Sequence, residues 1–400
     1  MRLLIMILIY AAIGIVGLAV LGLALNRIQL NKKAKKTILF ISLAALAIMV
    51  VFPITGALLP DGPACWFFQK WGNIFAGYVM YYYMALLVLV IIEFVVWIVR
   101  CIGKKDKKPG RGSMIMAVLP LVITLVVNAM GVQTAHDVKV TNYTLDKEKL
   151  GQTEPLRIVL FADTHIGVNS TPELYEDMVE KINEQDADLV VLAGDMVTSS
   201  FGAMRDPDAY AAIMRGIKSR LGVYAVYGNH DVDEPLLGGF TYAGRENALR
   251  NPAMEGWVKD CGWKLLTDEV TRIPELNGLV IAGRRDESRP GEGLMERADL
   301  EDLLKDVDPE ESILLLQHEP SDLDDLDECG VDLSVSGHTH DGQIFPGNII
   351  TRILEDQSYG MKDWGEATAI VTSGVGYYGP PIRVATNSEI AVIRIHFAAS

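Results

Sequence analysis

Apolar positions fall in two different patterns along this chain. In the first third they form four long, almost unbroken stretches at 3–25, 37–59, 75–99 and 114–130. Each approaches the roughly 20 residues that a helix needs to cross a bilayer, so four membrane-spanning helices are expected. The first is longer than the ~7–15-residue apolar core of a secretion signal, and no convincing cleavage site follows it. From about Thr141 the pattern breaks into short apolar, β-branched runs alternating with amphipathic segments. Runs at 156–162, 188–193, 223–227, 279–282, 312–316, 333–336, 369–372 and 390–395 predict strands. Segment 172–184 places Leu174, Met178, Val179 and Ile182 on one helical face, and 206–220 predicts a second helix. Strand–helix alternation of this kind gives an α/β domain with buried sheets, and the closing strands, less interrupted by helices, suggest a second sheet. Segments 238–239, 284–293 and 345–363 are expected as loops overhanging a site. The expected organisation is a transmembrane region over 1–133, a linker over 134–150 and a globular domain over 151–400.

Charge follows the same division. Residues 1–133 hold 13 Lys+Arg against 3 Asp+Glu, whereas the remainder holds 23 against 48. So acidic a domain lacks the cationic surface that nucleic acid requires, and no nucleic-acid binding is expected. Basic residues cluster between spans one and two (Arg27, Lys32, Lys33, Lys35, Lys36) and between spans three and four (Lys104, Lys105, Lys107, Lys108, Arg111). The loop between spans two and three carries only Asp61 and Lys70. Positive charge is retained in the cytoplasm, so an even number of spans puts the globular domain on the extracytoplasmic face of the cell membrane. Glu93 lies within the third span, either as a functional carboxylate or as a protonated one bonded to a neighbouring helix. Cys65, Cys101, Cys261 and Cys329 show no metal-binding spacing, and Cys261 with Cys329 fit either a disulfide or two buried thiols.

The chemistry is carried by an ordered set of short motifs, each just after an apolar run. They are Asp163-Thr164-His165, Gly194-Asp195, Gly228-Asn229-His230-Asp231, His318 and Gly337-His338-Thr339-His340. Five of the seven histidines fall in them; His136 and His396 match no motif and are expected to be structural. In an extended segment alternate residues face one side, so Asp163 and His165 could reach one ion, and His338 and His340 likewise. Any one motif alone would more often cap a helix or fix a turn. Together they offer two Asp, one Asn and four His as ligands, enough for two adjacent metal ions sharing a carboxylate.

This set resembles the calcineurin-like metallophosphoesterases, across most of residues 150–400. The segments S-G-H-T-H-D-G-Q-I (336–344) and S-G-V-G-Y-Y-G-P-P-I-R (373–383) look like the membrane-associated bacterial branch of that family. The resemblance implies a four-layer αββα sandwich with a dinuclear site at one end of the sheets. It assigns Asp163, His165 and His340 to one ion, Asn229, His318 and His338 to a second, and Asp195 to both. Mixed N and O ligands suit Mn²⁺, Fe or Zn²⁺ alike. The implied reaction is hydrolysis of a phosphomonoester or phosphodiester by attack of metal-bound hydroxide, on a substrate that membrane tethering would make lipid-linked or part of the envelope. His230 is assigned as general acid or charge stabiliser, with Asp231 orienting its ring. The chain departs from the family pattern at Thr198, where G-D-x-x-D would supply a carboxylate, and at Asp341, usually Gly in this branch. Asp341 could touch substrate or a metal-bound water, or be a solvated loop carboxylate. Arg284, Arg285 and Arg383 could meet a phosphate or pin loops. The alternative function is a membrane sensor or scaffold whose domain binds metal or nucleotide without turnover.

Overall fold

A computed structural model describes residues 2–27, 30–103, 113–146, 155–198, 200–237, 240–241, 248–276, 278–308 and 310–396. Its contacts divide into two compact units. The first comprises Met1–Val132 with Leu236–Tyr242 and Gly379–Ile382, and the second the rest of the chain.

The first unit is built on long helices over Arg2–Arg27, Lys32–Leu58, Pro63–Ile102 and Ser113–His136. Asn31 starts the second by accepting a hydrogen bond from the Ala34 N–H at 2.8 Å, and Pro63 opens the third, where its missing N–H costs nothing. Among the described residues three helices are long and apolar enough to cross a membrane: Lys32–Leu58, Pro63–Ile102 and Val118–His136. Four were expected; the described apolar part of the first helix is the shorter Gly14–Asn26. At ~1.5 Å per residue the 40-residue Pro63–Ile102 helix is about 60 Å long, about twice the hydrocarbon thickness, so it must reach beyond the expected span. Leu21, Met49, Val79, Tyr83 and Leu86 form a buried cluster between these helices. The second basic loop, 104–111, and residues 238–239 lie outside the described residues.

The second unit holds two six-stranded mixed sheets. The first runs in the order Lys139–Asp146, Glu389–His396, Leu156–Phe161, Leu189–Ala193, Val223–Val226 and Lys264–Leu265. Only the Glu389–His396 pairing with Leu156–Phe161 is antiparallel in it. The second runs Gly360–Trp364, Ala367–Val371, Leu333–Ser336, Ile313–Leu316, Leu279–Gly283 and Glu269–Ile273, with antiparallel strands at its two edges. The α/β class and the second sheet expected from the sequence are present, but the last strand returns to the first sheet.

Inner faces of both sheets meet in one buried cluster, where Ile158, Leu160, Val191 and Ile393 of the first sheet join Ile281, Leu314, Val335 and Ile370 of the second. On the outer face of the first sheet, helices Pro172–Asn183, Pro207–Met214 and Pro252–Asp260 bury Leu174, Met178, Ile182, Tyr210, Met214 and Trp257 against Val159, Val190 and Val392. The short helix Leu300–Leu304 covers part of the outer face of the second sheet through Leu300 and Leu304.

Three elements differ from expectation. Lys139–Asp146, placed in the linker, is an edge strand running parallel to Glu389–His396. The helix expected over 206–220 ends at Met214, where Gly216 turns the chain and donates its N–H to the Ile213 carbonyl at 2.9 Å. The loop expected at 345–363 contains helix Gly347–Leu354 and most of the edge strand Gly360–Trp364. All four cysteines are free thiols, so Cys261 and Cys329 are not paired.

Candidate metal centre

Parallel pairing brings the motifs together. Phe161 pairs with Leu192 and Ala193 with Val226, so the segments that follow these strands leave the first sheet side by side. In the second sheet Leu316 pairs with Val335 and Ser336 with Val371, which aligns His318, His338 and the loop after Val371. Backbone bonds then tie the segments: Asp163 N–H to Gly194 O at 2.9 Å, His165 N–H to Asp195 O at 3.0 Å, and Gly337 N–H to His318 O at 3.0 Å. Carboxyl ends of parallel strands are where open α/β sheets gather ligands.

The donors form two groups. His165 Nε2 and His340 Nε2 lie 3.0 Å apart, and Asp163 Oδ1 is 4.0 and 3.5 Å from them. In the other group Asn229 Oδ1 lies 3.0 Å from His318 Nε2 and 3.1 Å from His338 Nδ1, which are themselves 3.3 Å apart. Asp195 stands between the groups, its Oδ2 3.5 Å from His165 Nε2 and 3.1 Å from His318 Nε2. All seven expected donors therefore converge.

They converge for a different reason than strand alternation. Asp163, His165, Asp195, His338 and His340 all have positive φ, between 45° and 74°, a region sparsely used by residues with a Cβ. The motifs at 163–165, 194–195 and 337–340 are kinked rather than extended, and His338 and His340 point into different groups instead of sharing one. Such strain, of order 1–3 kcal/mol per residue, collects at functional sites. Close approach also fixes two glycines. A Cβ on Gly194 would lie 2.7 Å from Gly228 N, and one on Gly228 would lie 2.2 Å from Asp195 Oδ1.

Hydrogen bonds set the imidazole tautomers. His318 Nδ1 meets the Ala193 carbonyl at 2.7 Å, so it carries a proton, and Nε2 is the atom turned to Asn229 and Asp195. His165 Nδ1 meets Thr198 Oγ1 at 2.8 Å, a hydroxyl that can accept the Nδ1 proton and so leave Nε2 to face His340 and Asp195. Thr198, where the family pattern has a carboxylate, thus supports a candidate ligand.

Burial governs the charges. It drives His165 down to about 3 and His338 to about 4, and lowers His340 as well, so these rings stay neutral and keep lone pairs. Burial lifts the Asp163 carboxyl to about 7, with His318 pulling it back. For Asp195 burial is outweighed by His318 and His230, which hold its carboxyl well below the usual range; His318 is held correspondingly high by Asp195. Neutral His165, His338 and His340 beside buried carboxylates form a donor set that divalent cations fit, and a bound cation would replace the proton that His318 holds against Asp195.

His230 sits beside the cluster, its backbone N–H donating to Asp195 Oδ1 at 2.8 Å. Its ring stacks on Tyr378, with centroids 4.4 Å apart. Its Nδ1 bonds not Asp231 but Glu234 Oε1, at 2.6 Å. The Asp231 carboxylate instead accepts the N–H groups of Met196 (2.8 Å), Val197 (3.0 Å) and Gly228 (2.8 Å). The expectation that Asp231 orients the ring is therefore corrected: Asp231 pins two motif loops, and Glu234 holds the imidazole. Glu234 is itself buried, and its Oε2 is paired with the Arg289 guanidinium, which also donates to the Asn229 carbonyl at 3.1 Å. Glu234 and Tyr378 went unrecognised in the sequence; a carboxylate four residues after His230 is the one signal that points to the first.

The remaining candidates hold loops. Buried Arg383 donates to the carbonyls of Ser373, Gly374, Gly376 and Asn387 at 2.6–3.0 Å. Arg284 pairs with Asp322 at 2.6 Å, and Arg285 pairs with Glu292. Asp341 is buried and pairs with Arg352 at 3.2 Å, so it is not a solvated carboxylate.

Comparison with known proteins bears on this geometry. A family model for calcineurin-like phosphoesterases matches residues 156–342, which include all seven donors. A transmembrane protein with metallophosphoesterase domain from Danio rerio is 31% identical over 333 residues, covering 76% of this chain and 71% of that one. The chain belongs to the calcineurin-like metallophosphoesterases. An uncharacterized metallophosphoesterase of Campylobacter jejuni is 28% identical, with 76% of each chain covered. Another from Aquifex aeolicus is 29% identical over 68% of this chain and 97% of its own. Metallophosphoesterase membership makes a hydrolase that uses divalent metal the coarse functional conclusion.

Proposed function

We propose that the domain is a dinuclear-metal phosphoesterase, acting on phosphomonoesters or phosphodiesters while anchored to a membrane. The observation that carries this reading is Asp195, whose one carboxylate oxygen lies within 3.5 Å of donors from both groups. In this reading Asp163, His165 and His340 hold one ion, Asn229, His318 and His338 hold the other, and Asp195 is shared. When bound, the ions supply Lewis acidity toward phosphoryl oxygens and an activated water. The protein's own part is to fix seven donors in a buried space and to place His230 beside them. His230 donates a proton to the leaving oxygen or stabilises its charge, held by Glu234 at Nδ1 and by Tyr378 against its face.

Full-length protein in nanodiscs with Mn²⁺ is expected to release p-nitrophenol from p-nitrophenyl phosphate or bis(p-nitrophenyl) phosphate, and to lose that activity with EDTA. No release with Mn²⁺, Fe²⁺ or Zn²⁺ from folded protein would instead support a sensor that binds without turnover.

We also propose that the domain is extracytoplasmic, because Lys32, Lys33, Lys35 and Lys36 mark one cytoplasmic loop and 104–111 a second. A Lys259→Cys variant, at an exposed helical position, is expected to react with an impermeant maleimide on intact cells. Reaction only after lysis would reverse the orientation.

A further inference from the structure

Helix Gly347–Leu354 begins seven residues after His340, and none of its residues is buried. Ile349, Ile350, Ile353 and Leu354 share one face by helical spacing. They are 49, 51, 74 and 73% exposed. The other face carries Arg352, whose guanidinium lies 3.2 Å from Asp341, the neighbour of His340. The helix is thus fixed to the rim of the candidate metal centre by its polar side, with four aliphatic side chains turned to solvent. Apolar residues scattered singly over a surface need no explanation, but four contiguous ones on two turns mark a contact face.

The partner that this chain's own sequence offers that face is a bilayer. The same chain carries three helices able to cross one, and the last ends at His136, three residues before strand Lys139–Asp146. A short two-sided helix with an aliphatic face has the character of an interfacial element. Glu355 and Asp356 follow it directly, so apolar contact rather than attraction to anionic lipid must hold it. We infer that helix Gly347–Leu354 seats its aliphatic face in the headgroup region of the bilayer and presents the metal centre to phosphoesters of membrane amphiphiles. The substrate half of this inference rests on the phosphoesterase reading; the docking half does not.

The test uses the full chain in phosphatidylcholine vesicles, with Ile353→Cys carrying an environment-sensitive label in a Cys101→Ser, Cys329→Ser background. Lipids brominated near the headgroup end of the chain should quench this label about threefold more than one at Lys259→Cys, because an interfacial helix lies ~5–10 Å into the headgroup boundary. Equal quenching at both positions overturns the docking. So does a label shielded from aqueous iodide only at high protein density and untouched by bromolipid, which would mark a second copy on the face. For the substrate half, Ile350→Asp with Ile353→Asp should slow hydrolysis of an acyl-chain p-nitrophenyl phosphodiester in vesicles about tenfold, since docking would no longer present it. Hydrolysis of soluble bis(p-nitrophenyl) phosphate should be unchanged, which also certifies the fold. An unaltered rate on the vesicle-borne probe overturns this half. If wild-type protein hydrolyses neither probe, the phosphoesterase reading fails while the quenching result still decides docking.

Discussion

Asp195→Asn is expected to lower kcat/KM for a nitrophenyl phosphoester by about a hundredfold to a thousandfold, the scale on which a preorganised electrostatic contact to the transition state is lost. The substitution keeps the shape of the side chain and an Oδ1 that can accept the His230 N–H. What it removes is the charge, together with the one oxygen, Oδ2, that faces His165 and His318. If both ions share this carboxylate, neither site survives intact, and excess Mn²⁺ should restore little of the rate. Thermal unfolding should stay near that of wild type, because the amide has the carboxylate's shape and fits the same space against Gly228. A loss of less than about tenfold would show that Asp195 is not the shared ligand.

Glu234→Gln should produce a loss that depends on the leaving group. General acid–base assistance contributes ~10²–10⁴-fold, so an alkyl phosphoester, whose leaving oxygen needs a proton, should slow by about a hundredfold. A p-nitrophenyl ester, whose leaving group departs readily as an anion, should slow by about tenfold or less. Gln retains the length of Glu but cannot offer a charged oxygen to His230 Nδ1 at 2.6 Å while also facing Arg289. Asp231→Asn provides the contrast: its carboxylate serves three backbone N–H groups, so its loss should affect both esters alike and reduce stability. Equal losses on both esters for Glu234→Gln would assign Glu234 a structural role.

The donors were legible because strand ends leave a signature in one dimension: a β-branched run followed by Asp, Asn or His. Glu234 left only its place four residues after His230, since the contact depends on the turn after Asn229 and not on a motif. Sequence adjacency pointed to Asp231, whereas that turn folds its carboxylate back onto the amides of Met196 and Val197. Strand Lys139–Asp146 was hidden because a polar edge strand, with most of its residues exposed or half-buried, lacks the apolar signal of a core strand. The kinks at Asp163 and His338 were hidden as well, because positive φ at a non-glycine residue is imposed by the packed site rather than by local preference.

The central claim is that two cations occupy one buried cluster of side chains. Anomalous diffraction from crystals grown with Mn²⁺ tests it directly. Two peaks per chain, flanking Asp195 with one beside His165 and the other beside His318, are the predicted result. A single peak, or peaks distant from Asp195, would contradict it.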